Sequence, residues 1–258
     1  MKKLRTVIII LIVCLAITAE ASEYGKNLYR SFSRNLGRNR TDYPALTDEQ
    51  FANFRMVKTS GIGAGKLYRS SSPVSTWGNR NTIADNLARQ VGVKTFINLA
   101  DTPSSLREQE GFADSYYSTQ KIIALGLGMK YQSKKFRESL ARGIKFMAKS
   151  ETPYLIHCSL GKDRAGFVCA LIECLAGAGF QEIVKDYLVS FYNYFGVRPG
   201  TRAYDFVAKN EITAFLARAF DVKSEELATI NLAEAAQKYF LGIGVSSAEI
   251  EALRENLR

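Results

Sequence analysis

Tyr154-Leu155-Ile156-His157-Cys158-Ser159-Leu160-Gly161-Lys162-Asp163-Arg164-Ala165-Gly166 is the stretch on which the reading of this chain turns. The apolar run Tyr154 to Ile156 has the length and composition of a buried strand. From Ala165 onward, Val168, Leu171, Ile172 and Leu175 recur at three and four residues, a helical period. A tight polar loop joins the two, entered from a cysteine and carrying one glycine and two cationic side chains.

A loop that wraps onto a helix N-terminus points several backbone N–H groups into one concavity, and the helix dipole adds positive potential there. Such a cup binds a tetrahedral oxyanion. Arg164 falls in the first turn of the helix, where its planar fork can grip two oxygens at once. Cys158 falls at the floor, and helix N-termini with cationic neighbours favour the thiolate form of a cysteine. A nucleophile beneath a phosphate cradle is the arrangement of a phosphoryl-transfer site.

His-Cys-x5-Arg, filled here from His157 to Arg164, resembles the signature of the cysteine-dependent protein tyrosine phosphatase superfamily. Its Gly-Lys-Asp-Arg filling is similar to that of the bacterial tyrosine and lipid-type dual-specificity branch. Leu67-Tyr68-Arg69-Ser70, Phe96 to Asp101, Asp186-Tyr187-Leu188 and Asn193 to Val197 also match in order, so the resemblance spans roughly residues 45–257.

The resemblance implies a phosphatase that works through a phosphocysteine without a metal or other cofactor. Cys158 is its nucleophile and Arg164 its grip on the transferring phosphoryl group, with Ser159, Leu160, Gly161, Lys162 and Asp163 completing the phosphate loop. His157, on the opposite face of the strand, is implied to fix the loop. Lys162 is a second cation, of the kind that accompanies phosphoinositide substrates in related enzymes. Two aspartates compete as the acid that protonates the leaving oxygen: Asp101, from a separate loop, and Asp163, inside the signature. Where the family commonly has Ser or Thr after the arginine, this chain has Ala165, and slow hydrolysis of the intermediate is the implied consequence. A catalytically weak module that binds phospho-ligands and a rhodanese-like sulfurtransferase are the rival readings.

Composition agrees with one large globular unit. The chain has 258 residues, 47% of them hydrophobic, with 13 Tyr and 15 Phe, enough for a sizeable core. Its net charge of +10 suits anionic partners, but no finger, basic-zipper or stacking-platform pattern points to nucleic acid. Expected substrates are phosphorylated proteins (phosphotyrosine) or phosphoinositides and inositol phosphates, with the membrane met only through a substrate or an uncleaved leader.

Lys2, Lys3 and Arg5 precede the apolar run Val7 to Ala19, and Ala19-Glu20-Ala21 is a small-x-small site. We read residues 1–21 as a signal peptide, too short in its apolar part for the roughly 20 residues of a spanning helix. The protein is therefore expected to be secreted or extracytoplasmic, with cell-surface association as the variant of that reading. Cys158, Cys169 and Cys174 remain after cleavage. The last two lie about 140° apart around a helix, poor geometry for a disulfide, and read as small buried hydrophobes. His157 is the sole histidine, and no Cys/His cluster offers metal ligands.

Residues 22–44 are polar, rich in Arg and Asn, and read as a flexible arm, with the phosphatase domain over 45–258. Thr47 is placed to cap a first helical turn. Gly61-Ile62-Gly63-Ala64-Gly65-Lys66 fails the nucleotide-loop spacing and reads as a glycine-rich turn before a strand at 66–69. Ile83, Leu87 and Val91 mark a helix. Val93 to Leu99 and Lys121 to Leu125 mark strands, and Phe136 to Met147 marks a helix leading into the Cys158 strand. Three further helical faces follow: Ile183 to Phe191, Val207 to Phe220, and Ile250 to Leu257. The fold class expected is α/β: a single domain with a central, mostly parallel β-sheet flanked by helices, and an added helical C-terminal part.

Overall fold

The computed structural model describes residues 22–37 and 39–258; the signal-peptide reading of residues 1–21 lies outside them. In chain order the elements are helix α1 (22–35), α2 (Asp48–Phe51), strands β1 (Arg55–Met56) and β2 (Leu67–Ser70), α3 (Asn81–Gln90), β3 (Thr95–Asn98), α4 (Pro103–Arg107) and β4 (Lys121–Ala124). They continue with α5 (Lys134–Ala148), β5 (Tyr154–His157), α6 (Asp163–Ala176), α7 (Phe180–Phe195), α8 (Arg202–Ala208), α9 (Ala214–Phe220), α10 (Leu232–Gly242) and α11 (Ser247–Leu257). Short 3₁₀ turns and one π-helical segment, Lys209–Thr213, fill the joints.

The five strands form one sheet in the order β1-β2-β5-β3-β4. Only β1 runs antiparallel; β2, β5, β3 and β4 are mutually parallel. β5 is central, and all four of its residues are buried, because strands covered by helices on both faces must be apolar on both. Alternation along β5 sends Tyr154, Ile156 and Cys158 to the face under α5, α6 and α7, and Leu155 to the face under α3. The expected α/β architecture with its helical C-terminal part is the one observed.

α6 runs through the middle of the larger core, with eleven buried residues, packed between β5, α7 and α10. It stops at Gly177, whose φ of +96° is the left-handed conformation that lets its N–H cap the last carbonyls. Thr47 and Ser133 cap α2 and α5 through their hydroxyls.

Two expectations need correcting. Residues 22–44, expected as a flexible arm, begin with the helix α1, which docks on the domain. Phe32 is buried and stacks on Phe195 at 4.2 Å, Tyr24 meets Phe206 edge-on, and the Tyr29 hydroxyl donates to Glu211 Oε1 at 2.6 Å. Tyr24, Leu28 and Phe32 recur every four residues, and that apolar stripe supplies the burial that composition alone hides. The second correction is α10, absent from the sequence reading, whose Leu232, Ala236 and Phe240 form an i, i+4, i+8 buried face.

Candidate active site

The turn between β5 and α6 is shaped by Gly161, whose φ is +67°. A Cβ there would stand 2.1 Å from the Ser70 carbonyl oxygen, so only glycine fits against β2. Around it the carbonyls of the loop are each held outward by a donor. The Ser72 N–H donates to Ser159 O (3.2 Å), and Asn53 Nδ2 (3.0 Å) and the Tyr194 hydroxyl (2.7 Å) donate to Leu160 O. Arg69 Nη2 donates to Gly161 O (2.9 Å) and Lys162 O (3.2 Å). In a trans peptide the next residue's N–H points opposite to the carbonyl, so the amides of Leu160 to Asp163 face away from these donors, beside the free N–H groups of the first turn of α6. This is a nest for an anion at a helix N-terminus.

Cys158 follows the last residue of β5 at the entry to this loop and is buried, with 3% of its surface exposed. Arg164 bends back over the loop. Its Nη2 donates to Ser159 Oγ (3.1 Å) and its Nη1 to the carbonyl of Leu127 (2.9 Å), in the segment after β4. The guanidinium therefore spans the two chain segments that border the cup.

Behind the loop stands a buried ionic cluster. Asp186, on α7, accepts from Arg69 Nη1 (2.6 Å) and from Arg55 Nε (2.9 Å); Arg69 is fully buried and Asp186 9% exposed. Burial pushes the Asp186 carboxyl up, but the two guanidiniums outweigh it and hold it below the usual carboxylate range. Glu173, one turn from the end of α6 and 1% exposed, goes the other way: burial and then the Asp186 charge raise it well above its ordinary value.

His157 faces the side of the sheet opposite Cys158, its Nε2 3.1 Å from the Tyr117 hydroxyl oxygen. Burial lowers its pKa to about 3, with Arg164 adding to the effect, so the ring is neutral and rigidly placed. Asp101 follows β3, the neighbour of β5, where Asn98 pairs with His157. Its Oδ2 accepts from Asn98 Nδ2 (2.9 Å) and its Oδ1 from Gln109 Nε2 (3.1 Å). Asp163 is ion-paired with Lys162, whose ammonium rests 4.3 Å from the centre of the Phe191 ring. Lys162 thus gives the cup its backbone, while its side chain, expected as a cation for substrate, is turned to Asp163 and Phe191.

Sequence reasoning gave no loop-holding role to Asn53, Ser72, Tyr194 or the Arg55–Asp186–Arg69 cluster. Tyr194 meets its partner 34 residues away and the others meet theirs across more than 80, so no local spacing could announce them. Cys169 and Cys174 are fully buried free thiols, both pushed up by burial. Among the described residues no group of three or more His, Cys, Asp or Glu could hold a metal ion, and no helix is long and apolar enough to cross a membrane.

A parallel-sheet α/β domain with a cysteine-floored anion nest at a helix N-terminus defines the cysteine-phosphatase class of site. The model of the tyrosine phosphatase family matches residues 100–258, most of the chain, and the chain belongs to that family. Among solved structures it is similar to the core catalytic domain of the PP-IP phosphatase Siw14 from S. cerevisiae, in complex with citrate. That match has 20% identity and a TM-score of 0.39, over 64% of this chain and 91% of that one. A second Siw14 catalytic core matches at 18% identity and a TM-score of 0.37, over 69% of this chain and 94% of that one. Likenesses of that size do not define a substrate. No curated protein sequence matches the chain.

Proposed function

We propose that the chain hydrolyses phosphate monoesters through a phosphocysteine on Cys158, as a protein tyrosine or dual-specificity phosphatase exported behind its signal-like first 21 residues. One observation carries this reading: every carbonyl from Ser159 to Lys162 is tied outward, leaving the amides to face an anion above the sulfur.

In the first step the Cys158 thiolate attacks phosphorus, the ester P–O bond breaks, and the leaving oxygen takes a proton from an acid. The inward amides and Arg164 stabilise the charge on the equatorial oxygens. In the second step water attacks the phosphocysteine, its proton returns to the same carboxylate, and the thiolate leaves. We assign the acid to Asp101, which enters from a separate loop after β3, the neighbour of β5, where two neutral amides hold its carboxylate. Phosphoinositides and inositol phosphates form the alternative, and a catalytically weak phospho-ligand module the rival; the orientation of Lys162 withdraws the residue that favoured the alternative.

The test is turnover of para-nitrophenyl phosphate in EDTA, inhibited by vanadate and lost in Cys158→Ser and Arg164→Ala. Phosphate binding with no turnover would replace the enzyme with a binding module. Asp101→Asn should lose the alkaline limb of the pH–rate profile; if Asp163→Asn loses it instead, the acid is misassigned.

A further inference from the structure

A cavity of about 1130 Å³, above the roughly 300–1,000 Å³ typical of small-ligand sites, opens along α6 at Phe167, three residues after Arg164. It lies between the start of α5, α9 and α10, and its floor is built from Phe167, Phe215, Phe220 and Ile243. The last three of these are half-buried, so an apolar surface is left open to solvent inside a concavity. Its mouth carries Met129, 55% exposed, and the cations Lys130, Arg137, Arg218 and Lys238 against the acids Asp221 and Glu234.

The segment 127–133 is common to the cavity and the cup. Its Leu127 carbonyl holds Arg164, and two residues on, Met129, Lys130 and Tyr131 line the cavity. Tyr131 stacks at 4.6 Å on Phe167, which lies on α6 three residues after Arg164. A ligand whose phosphate fills the cup can therefore lay an attached chain along this wall without leaving the surface. The cationic excess at the mouth suits an anionic head and excludes a cationic one.

We propose that the groove binds the alkyl or acyl chain of a single-chain lipid phosphate monoester, whose phosphoryl group is the one hydrolysed over Cys158. This deepens the phosphatase reading and rests on it.

The test uses the full chain and a series of monoalkyl phosphates, ethyl, butyl, octyl and dodecyl, below their micelle concentrations. Burial of each added methylene predicts that kcat/KM rises at least about tenfold from butyl to octyl phosphate. Gly242 lines the groove and has no atom within 4 Å of where a Cβ would stand, so Gly242→Phe adds bulk at the groove wall. Met129→Asp puts a charge at its mouth. In both, the octyl-to-butyl ratio of kcat/KM should collapse toward one, a readout internal to each variant. A flat chain-length profile in the wild type, or a ratio unmoved in both variants, overturns the groove; so does a dimer in solution that buries Met129 and shields the site. Calorimetry with Cys158→Ser separates the two readings. Affinity that climbs with chain length in a protein without turnover keeps the groove and removes the phosphatase. Turnover of para-nitrophenyl phosphate with chain-independent affinity does the reverse.

Discussion

Two buried acids of opposite tendency should write a distinctive pH profile of stability, and removing Glu173 should unmask it. His157 is the chain's sole histidine, and its folded pKa of about 3 lies far below the ordinary 6.5. The unfolded chain therefore takes up a proton near pH 6.5 that the folded one refuses, and stability falls as pH drops from 6.5 toward 3. At about 1.36 kcal/mol per pH unit, the loss between pH 7 and 4.5 is about 2.5 kcal/mol. Glu173 has the reverse sign. Its folded pKa is raised by burial, so its contribution is intact below the unfolded value near 4.5 and is lost as pH rises toward the folded value. Above pH 4.5 the two slopes oppose each other, and the wild type should show a shallower profile than the histidine alone would give. In Glu173→Gln only the histidine slope remains, and urea midpoints converted to unfolding free energies should rise by about 2.5 kcal/mol from pH 4.5 to 7. His157→Asn should instead decline as pH rises above 4.5. A Glu173→Gln protein of constant stability across that window would refute the placement of a neutral, buried His157 at the end of β5.

Three further outcomes follow from the same geometry. Asp186→Asn leaves two buried guanidiniums with a neutral partner and should cost about 3–5 kcal/mol of unfolding free energy, measured by urea titration; a loss below about 1 kcal/mol would mean the cluster is not holding the loop. Gly161→Ala, forced into φ of +67° against the Ser70 carbonyl, should lower kcat/KM for para-nitrophenyl phosphate by about a hundredfold or more, since misplacement by about 1 Å in a catalytic loop has that effect. Phe32→Ala should destabilise the domain by about 3 kcal/mol if α1 docks through Phe191 and Phe195, and by almost nothing if the segment is a free arm.

The sheet and the loop were legible because their signals are local. A three-residue apolar run, a glycine at the one position pressed against β2 and a helical period from Ala165 each sit within a few residues of one another. The positions of Cys158 and Arg164 at the two ends of the loop came with them, and so did that of Asp101, just after a strand recognisable from Val93 to Leu99. What stayed hidden depends on distance. Arg69 reads as one residue of a strand, and Asp186 as one face of a helix. Only folding sets them together with Gly161, and nothing at position 173 marks a glutamate that ends fully buried in α6. α1 was missed for a different reason, since its arginines and asparagines outnumber an apolar stripe of three residues that matters only once Phe195 is there to meet it. Lys162 shows the limit from the other side: its position in the motif was right, but the direction of its side chain is set by Asp163 and a ring on α7.

The most direct measurement is intact-protein and peptide mass spectrometry after rapid acid quench during turnover of para-nitrophenyl phosphate. The account predicts one added phosphoryl group on the peptide containing Cys158, absent from Cys158→Ser. Sustained turnover that survives in Cys158→Ser, or a phosphoryl group found on any other residue, would contradict it.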